Sequence, residues 1–89
     1  MRIAPSAVVA LNRAVAIGRR DGPDAGLAAI EAAMQGGGLD GYHLAFAALA
    51  DAYAGLGRKT DARTAYERAL ALTAQPAERA WLEMRLKAV

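Results

Sequence analysis

His43 is the sole histidine of the chain, and an imidazole is a natural general base near neutral pH. General-base work needs an acid or nucleophile held in register, and no spacing around His43 fixes one. At a helix start its ring reads instead as a packing or capping group. Asp21, Asp24 and Asp40 flank glycines and invite a cation-loop reading. The EF-hand spacing is absent, however, and carboxylates at helix starts already complement the dipole there. Gly36-Gly37-Gly38 is no phosphate loop, because no Lys-Ser/Thr follows it and no strand precedes it. The chain has no cysteine, which removes disulfides and thiolate chemistry, and one histidine cannot complete a Cys/His zinc site. Catalysis, a metal and a cofactor are therefore not expected.

Asn12 and Arg13 pose a different question. They stand in the middle of an apolar stretch, Val8 to Ala16, where core packing favours hydrocarbon. One reading is a solvated helix face. The other is a polar contact to a partner.

Those residues must sit on helices. The chain has 89 residues, enough for one domain, and is 55% hydrophobic with much of that alanine. Few β-branched residues and five aromatics (Tyr42, Phe46, Tyr53, Tyr66 and Trp81) argue against a sandwich or barrel. The pI of 9.4 overstates the basicity, since 11 Lys+Arg against 9 Asp+Glu leave a net charge of +2. The basic doublets Arg19-Arg20 and Arg58-Lys59 fall at helix ends, where cations complement the dipole or lie in the following loop. No apolar run approaches the roughly 20 residues of a membrane span, and no apolar signal segment follows Met1-Arg2. The expected compartment is the cytosol.

Breakers divide the sequence into five helical pieces. The first opens at Pro5-Ser6, with Ser6 as candidate N-cap, runs from Ala7 to about Ile17 and stops at Gly18. The second opens at Asp21-Gly22-Pro23 and ends near Gln35, before the glycine triplet. The third starts near Asp40 or Gly41 and ends at Gly55-Leu56-Gly57. The fourth runs from about Thr60-Asp61 to Thr73, and Pro76 opens a fifth that reaches the C-terminus. Apolar residues recur at steps of three and four, as in Ala62, Ala65, Tyr66, Ala69 and Leu70. Short connections imply antiparallel helix hairpins.

Phe46, Leu49, Ala50, Tyr53, Gly57, Ala62, Tyr66 and Ala69 share the order and spacing of the tetratricopeptide repeat (TPR), which they resemble over residues 43 to 76. Ala50 replaces the usual glycine, and the closing proline comes late, at Pro76. In physical terms, Ala50, Ala62 and Ala69 let backbones approach while Phe46, Tyr53 and Tyr66 fill the gaps. A weaker copy lies 36 residues upstream, pairing Ala14, Ile17, Gly26, Ile30 and Ala33 with Ala50, Tyr53, Ala62, Tyr66 and Ala69. Arg13 stands where Leu49 does, which departs from the pattern. The expected architecture is all-α: one domain over residues 1–89, with two TPR-like repeats (about 7–38 and 43–76) and a C-terminal capping helix (about 76–89).

Several strings together carry a further resemblance. They are Val8-Val9-Ala10-Leu11-Asn12-Arg13-Ala14-Val15-Ala16, Asp21-Gly22-Pro23, Gly41-Tyr42-His43-Leu44, Leu56-Gly57-Arg58, Ala65-Tyr66-Glu67-Arg68-Ala69-Leu70 and Glu78-Arg79-Ala80-Trp81-Leu82. This order resembles the C-terminal tail of a group of bacterial extracytoplasmic-function sigma factors that carry a TPR extension. The resemblance implies a regulatory fragment whose partners are the sigma core domains, RNA polymerase or a regulator. It implies no direct DNA binding, since the DNA-reading domains of that group precede the tail. The third helix departs from the group: Phe46-Ala47-Ala48-Leu49 is apolar where polar residues and arginines are expected. An alternative is a free-standing TPR adaptor with Asn12, Arg13 and side chains around His43 and Ala47 lining a concave peptide groove. An accessory domain of an enzyme is a third reading, disfavoured by the missing acid–base cluster.

The fifth piece carries two apolar stripes, Ala77, Ala80, Trp81, Met84 and Ala88 beside Leu82, Leu86 and Val89. They merge into one core face, or one stripe meets a partner or a second copy of the chain. In the second case Leu82, Leu86 or Val89 is expected to be exposed. Trp81 and Arg85, one turn apart, are expected to stack as a cation–π pair at the edge. Trp and Arg are enriched at interface hot spots, so Trp81, Leu82, Arg85 and Leu86 join Asn12, Arg13 and His43 as candidate contact residues. The repeat register itself is open to test. Replacing Ala69 with Leu is expected to overpack a helix crossing and cost about 1–3 kcal/mol; an unchanged thermal melt would remove Ala69 from that register.

Overall fold

The computed structural model describes residues 4–89, which form five α-helices and no strand. They are α1 (Pro5–Asp21), α2 (Pro23–Gln35), α3 (His43–Gly55), α4 (Lys59–Leu72) and α5 (Pro76–Lys87). Helix α1 packs on α2 and α3 on α4 as antiparallel hairpins, with α2 on α3 and α4 on α5 joining the layers. Proline sits in the first turn of α1, α2 and α5, where its missing N–H costs nothing.

Two boundaries differ from the sequence expectation, each for a visible reason. Helix α1 does not stop at Gly18 but continues through it to Asp21. Gly18 faces Gly26 of α2 so closely that a Cβ built on Gly26 would lie 2.7 Å from the Gly18 Cα. The glycine is thus a contact surface and not a terminator; the helix ends at Gly22, at φ 100°. Ser6 is not the N-cap, which falls on Ala4 with no side-chain cap bond. Helix α3 begins later than expected, at His43. Gly37 and Gly38 both hold φ 86°, and a turn bond from the Tyr42 N–H to the Leu39 carbonyl occupies the residues before the helix.

The α3–α4 link follows the expected glycine stop in detail. Gly57 takes φ 76°, its N–H donates to the Ala54 carbonyl, and the Arg58 N–H donates to the Tyr53 carbonyl. This is the paired-bond Schellman ending, which satisfies carbonyls the helix leaves orphaned. The Arg58 guanidinium then covers the Tyr53 ring at 4.7 Å. Lys59 opens α4 at its positive end, contrary to the dipole expectation, and the nearby Asp61 carboxylate pairs with Arg58 at 2.9 Å.

Two core clusters result. The first gathers Ala7, Leu11, Ala14, Leu27, Ile30, Leu39, Ala45 and Ala52, and the second Ala47, Ala50, Ala62, Ala65, Tyr66, Ala69 and Leu82. Leu49 and Tyr53 of α3 pack against both, so α3 is the shared wall. Ala50, Ala62 and Ala69 are fully buried, in keeping with their crossing role. Leu39, in the link the sequence reading passed over, is also fully buried. Burying such a leucine contributes about 2 kcal/mol.

Helix α5 reverses one expectation. Leu82 is fully buried in the second cluster, with Leu86 and Val89 packed beside it. Ala77, Ala80, Met84 and Ala88 face outward instead. The branched side chains fill more space against α4, so they take the inner face. Because the first hairpin closes on a glycine pair, Gly26→Ala is expected to force α1 and α2 apart. The overpacking costs about 1–3 kcal/mol, against which alanine returns up to about 1 kcal/mol as the better helix former. A denaturation midpoint at or above that of the parent would show that the two backbones do not touch there.

Candidate functional site

Residues of α1, α2, α3 and α5 line a groove of about 590 Å³. Its floor is apolar: Leu11 and Ala14 come from α1, and Ala47, Ala48 and Ala52 from α3. Small residues on α3 leave the volume open, since alanine reaches little beyond the backbone. Leu44, which is 41% exposed, and Trp81 line it as larger apolar contacts. The polar lining is Asn12 and Arg19 from α1, Asp51 from α3 and Arg85 from α5.

Asp51 organises one side of this groove. Its Oδ1 accepts a hydrogen bond from the Tyr66 hydroxyl of α4. Arg85 Nη1 approaches the same oxygen at 3.4 Å. The Arg85 guanidinium also lies 5.0 Å from the centre of the Trp81 ring, the stacked pair expected from their one-turn spacing. A single carboxylate therefore ties α3, α4 and α5 together. Burial raises the Tyr66 phenol from its ordinary 10.0 to about 12, and the bond to Asp51 and its negative charge push the same way.

A second polar cluster lies apart from the groove, where α3 and α5 begin and α4 ends. The Thr73 hydroxyl donates to Glu78 Oε1 at 2.6 Å, and His43 Nε2 lies 3.1 Å from Glu78 Oε2 without hydrogen-bond alignment. The Glu78 carboxyl is held below the usual carboxylate range, first by the Thr73 hydroxyl and further by His43. Arg79 Nη1 donates to the Leu70 carbonyl at 2.7 Å and the Thr73 carbonyl at 3.0 Å. Helix α4 has no basic residue in its own last turn, so α5 supplies the cation that its C-terminus lacks.

The candidate contact residues thus separate. Asn12, Trp81 and Arg85 meet in the groove, and Ala47 lines it as the adaptor reading expected. Arg13 is exposed and does not line it. His43 belongs to the Glu78 cluster and not to the groove, because it starts α3 at the end facing the α4–α5 link. Leu82 is withdrawn from solvent by the second core and offers a partner no surface, and Leu86 packs against the same core. Arg19 and Asp51 were missed. The one carboxylate of α3, set in the otherwise apolar run Phe46–Ala54, was the available signal. Among the described residues no three His, Cys, Asp or Glu side chains are grouped to hold a metal ion.

The Tyr66–Asp51 bond has a testable consequence. Tyr66→Phe is expected to cost about 1 kcal/mol near neutral pH, the usual net worth of one hydrogen bond. A phenol whose value is higher in the folded chain stabilises the fold fully below the unfolded value. That contribution is lost as pH rises through the folded value. The advantage of the parent over Tyr66→Phe should therefore hold up to about pH 10 and shrink toward about pH 12. A gap that stays constant in urea melts from pH 8 to pH 12 would place the hydroxyl in solvent.

No protein-family model matches the chain, and no solved structure matches it significantly. Among curated proteins, an uncharacterized protein of Rhizobium meliloti is 44% identical over 85 residues, which cover 96% of this chain. The chain spans only about a fifth of that relative, 20% of its length.

Proposed function

We propose that the chain works by protein–protein contact, as the helical-repeat tail of an extracytoplasmic-function sigma factor that modulates transcription initiation. The groove across α1, α3 and α5 is the observation that carries the contact reading. It offers an apolar floor for a partner side chain and a few polar groups to orient it, the composition of a binding cleft. Among the described residues no helix is long and apolar enough to cross a membrane.

The sigma-factor part of the proposal rests on the resemblance of the strings around Asn12-Arg13, His43, Tyr66 and Trp81. The match to a fifth of a longer bacterial protein supports only the reading of a segment joined to further chain. In this reading the tail docks on sigma core domains, the polymerase or a regulator and does not itself touch DNA. A free-standing adaptor is the second reading. It rests on the same groove, whose apolar floor and few polar groups suit a bound peptide.

The test is calorimetric titration of this chain with the sigma core domains of the full-length protein, and separately with polymerase. Leu44→Glu places a charge at the groove, on a side chain exposed enough that the melt should change little. It is expected to weaken association by about 30-fold, the roughly 2 kcal/mol of a hot-spot contact. Unchanged affinity would remove the groove from the interface. Sequence-specific promoter binding by these residues alone would sink the tail reading and leave a DNA-binding module.

A further inference from the structure

The charged groups of the groove gather at one end of it. Arg19 lies in the last turn of α1 and Arg85 in the last turn of α5. Pro23, just beyond α1, stands so close to the end of α3 that a Cβ built on Gly55 would lie 3.0 Å from the proline Cβ. Asp51, one turn before Gly55, meets Arg85 at 3.4 Å. The larger apolar contacts, Leu44 and Trp81, come earlier on α3 and α5, whose first turns meet through His43 and Glu78. The groove is thus apolar toward one end and charged at the other.

Two arginines against one aspartate leave the charged end with a net charge of +1. The aspartate is already engaged, because its Oδ1 takes the Tyr66 hydroxyl and its contact with Arg85 is long. Arg85 therefore keeps most of its five donors for another acceptor. Its side chain is 47% exposed, and the Trp81 ring at 5.0 Å restricts the orientation of its plane. Arg19 is exposed and has no ion pair among the described residues, since the Asp21 carboxylate is taken by Arg20. Both arginines present unspent donors to whatever enters.

With the contact reading above as its basis, we propose that the groove takes an acidic, amphipathic segment of a partner protein. An aspartate or glutamate side chain of that segment is received by Arg85 and Arg19. A bulky apolar side chain beside it lies against Leu44 and the alanines of α3. The planar carboxylate matches the guanidinium fork, and one negative charge balances the net charge of the site. A nucleic acid fits less well. Asp51 opposes further negative charge, and two cations make no track along a phosphate backbone.

The test selects a displayed library of random dodecapeptides on the parent chain. The enriched sequence is then measured as a fluorescein-labelled peptide blocked at both ends, so that no terminal carboxylate takes part. The expected consensus holds Asp or Glu beside a bulky apolar residue. Arg85→Gln and Arg19→Gln should each weaken its binding about tenfold, as for one charge-assisted hydrogen bond. Exchanging the peptide's acid for its amide should cause a similar loss from the parent and little further loss from Arg85→Gln. That double-mutant cycle reads the pair even where a variant shifts the melt.

Enrichment of neutral or basic peptides, or no enrichment, overturns the proposal. So does an acidic peptide whose loss on amidation is the same for the parent and for both arginine variants. Peptides of either kind that Leu44→Glu releases would leave the groove reading standing, and peptides that it leaves bound would remove the groove as well. A concentration-dependent dimer of the parent that Arg85→Gln breaks also overturns the proposal, because the occupant is then a second copy.

Discussion

Close approach of helix backbones is the constraint on which the rest of this molecule depends. At Gly18 and Gly26 nothing but hydrogen separates the two helix backbones, and in the second hairpin Ala50, Ala62 and Ala69 are buried without residual exposure. A chain this rich in alanine has little hydrocarbon to bury per residue, so it gains cohesion by dispersion between backbones held near each other. The larger side chains then occupy fixed remnants of space: Tyr66 and Leu82 on one side of α3, Leu27, Ile30 and Leu39 on the other. The groove is a by-product of the same economy. Alanines on α3 that allow tight packing also leave an open channel along that helix.

Polar groups set the geometry that such a smooth core leaves loose. Alanine surfaces slide, because they present few interlocking knobs. Asp51 counters this by meeting one donor from α4 and another from α5, and each bond has only one register in which it forms. Arg79 and Glu78 do the same at the other end of the α4–α5 pair. These few directional contacts add a fixed register to the apolar packing of Leu82, and with it to one wall of the groove.

Much of this was legible in the sequence. The helix pairs follow from apolar spacing and from Pro23, Gly57 and Pro76, whose backbone preferences are local. The Ala62 and Ala69 crossings and the Trp81–Arg85 stack also follow from spacing along one helix. What was not legible depends on residues far apart in the chain. Gly18 reads as a stop until Gly26 is seen against it. Leu82 reads as equal to Met84 until α4 chooses between the two faces. Asp51 is an isolated charge until Tyr66 and Arg85 converge on it. His43 was singled out for its chemistry, but its partner Glu78 lies on another helix and no spacing along α3 could name it.

The borrowed cap at the end of α4 bears on cooperativity. In a stacked array each helix touches only its neighbours, so the ends are free to fray in turn. Helix α4 cannot fray at its C-terminus in that way, because Leu70 and Thr73 lend their carbonyls to Arg79 of the next helix. Opening the last turn of α4 removes one set of contacts that hold α5, and lifting α5 leaves those carbonyls without their donor. Two hydrogen bonds thus couple the fraying of one helix end to the lifting of the next helix.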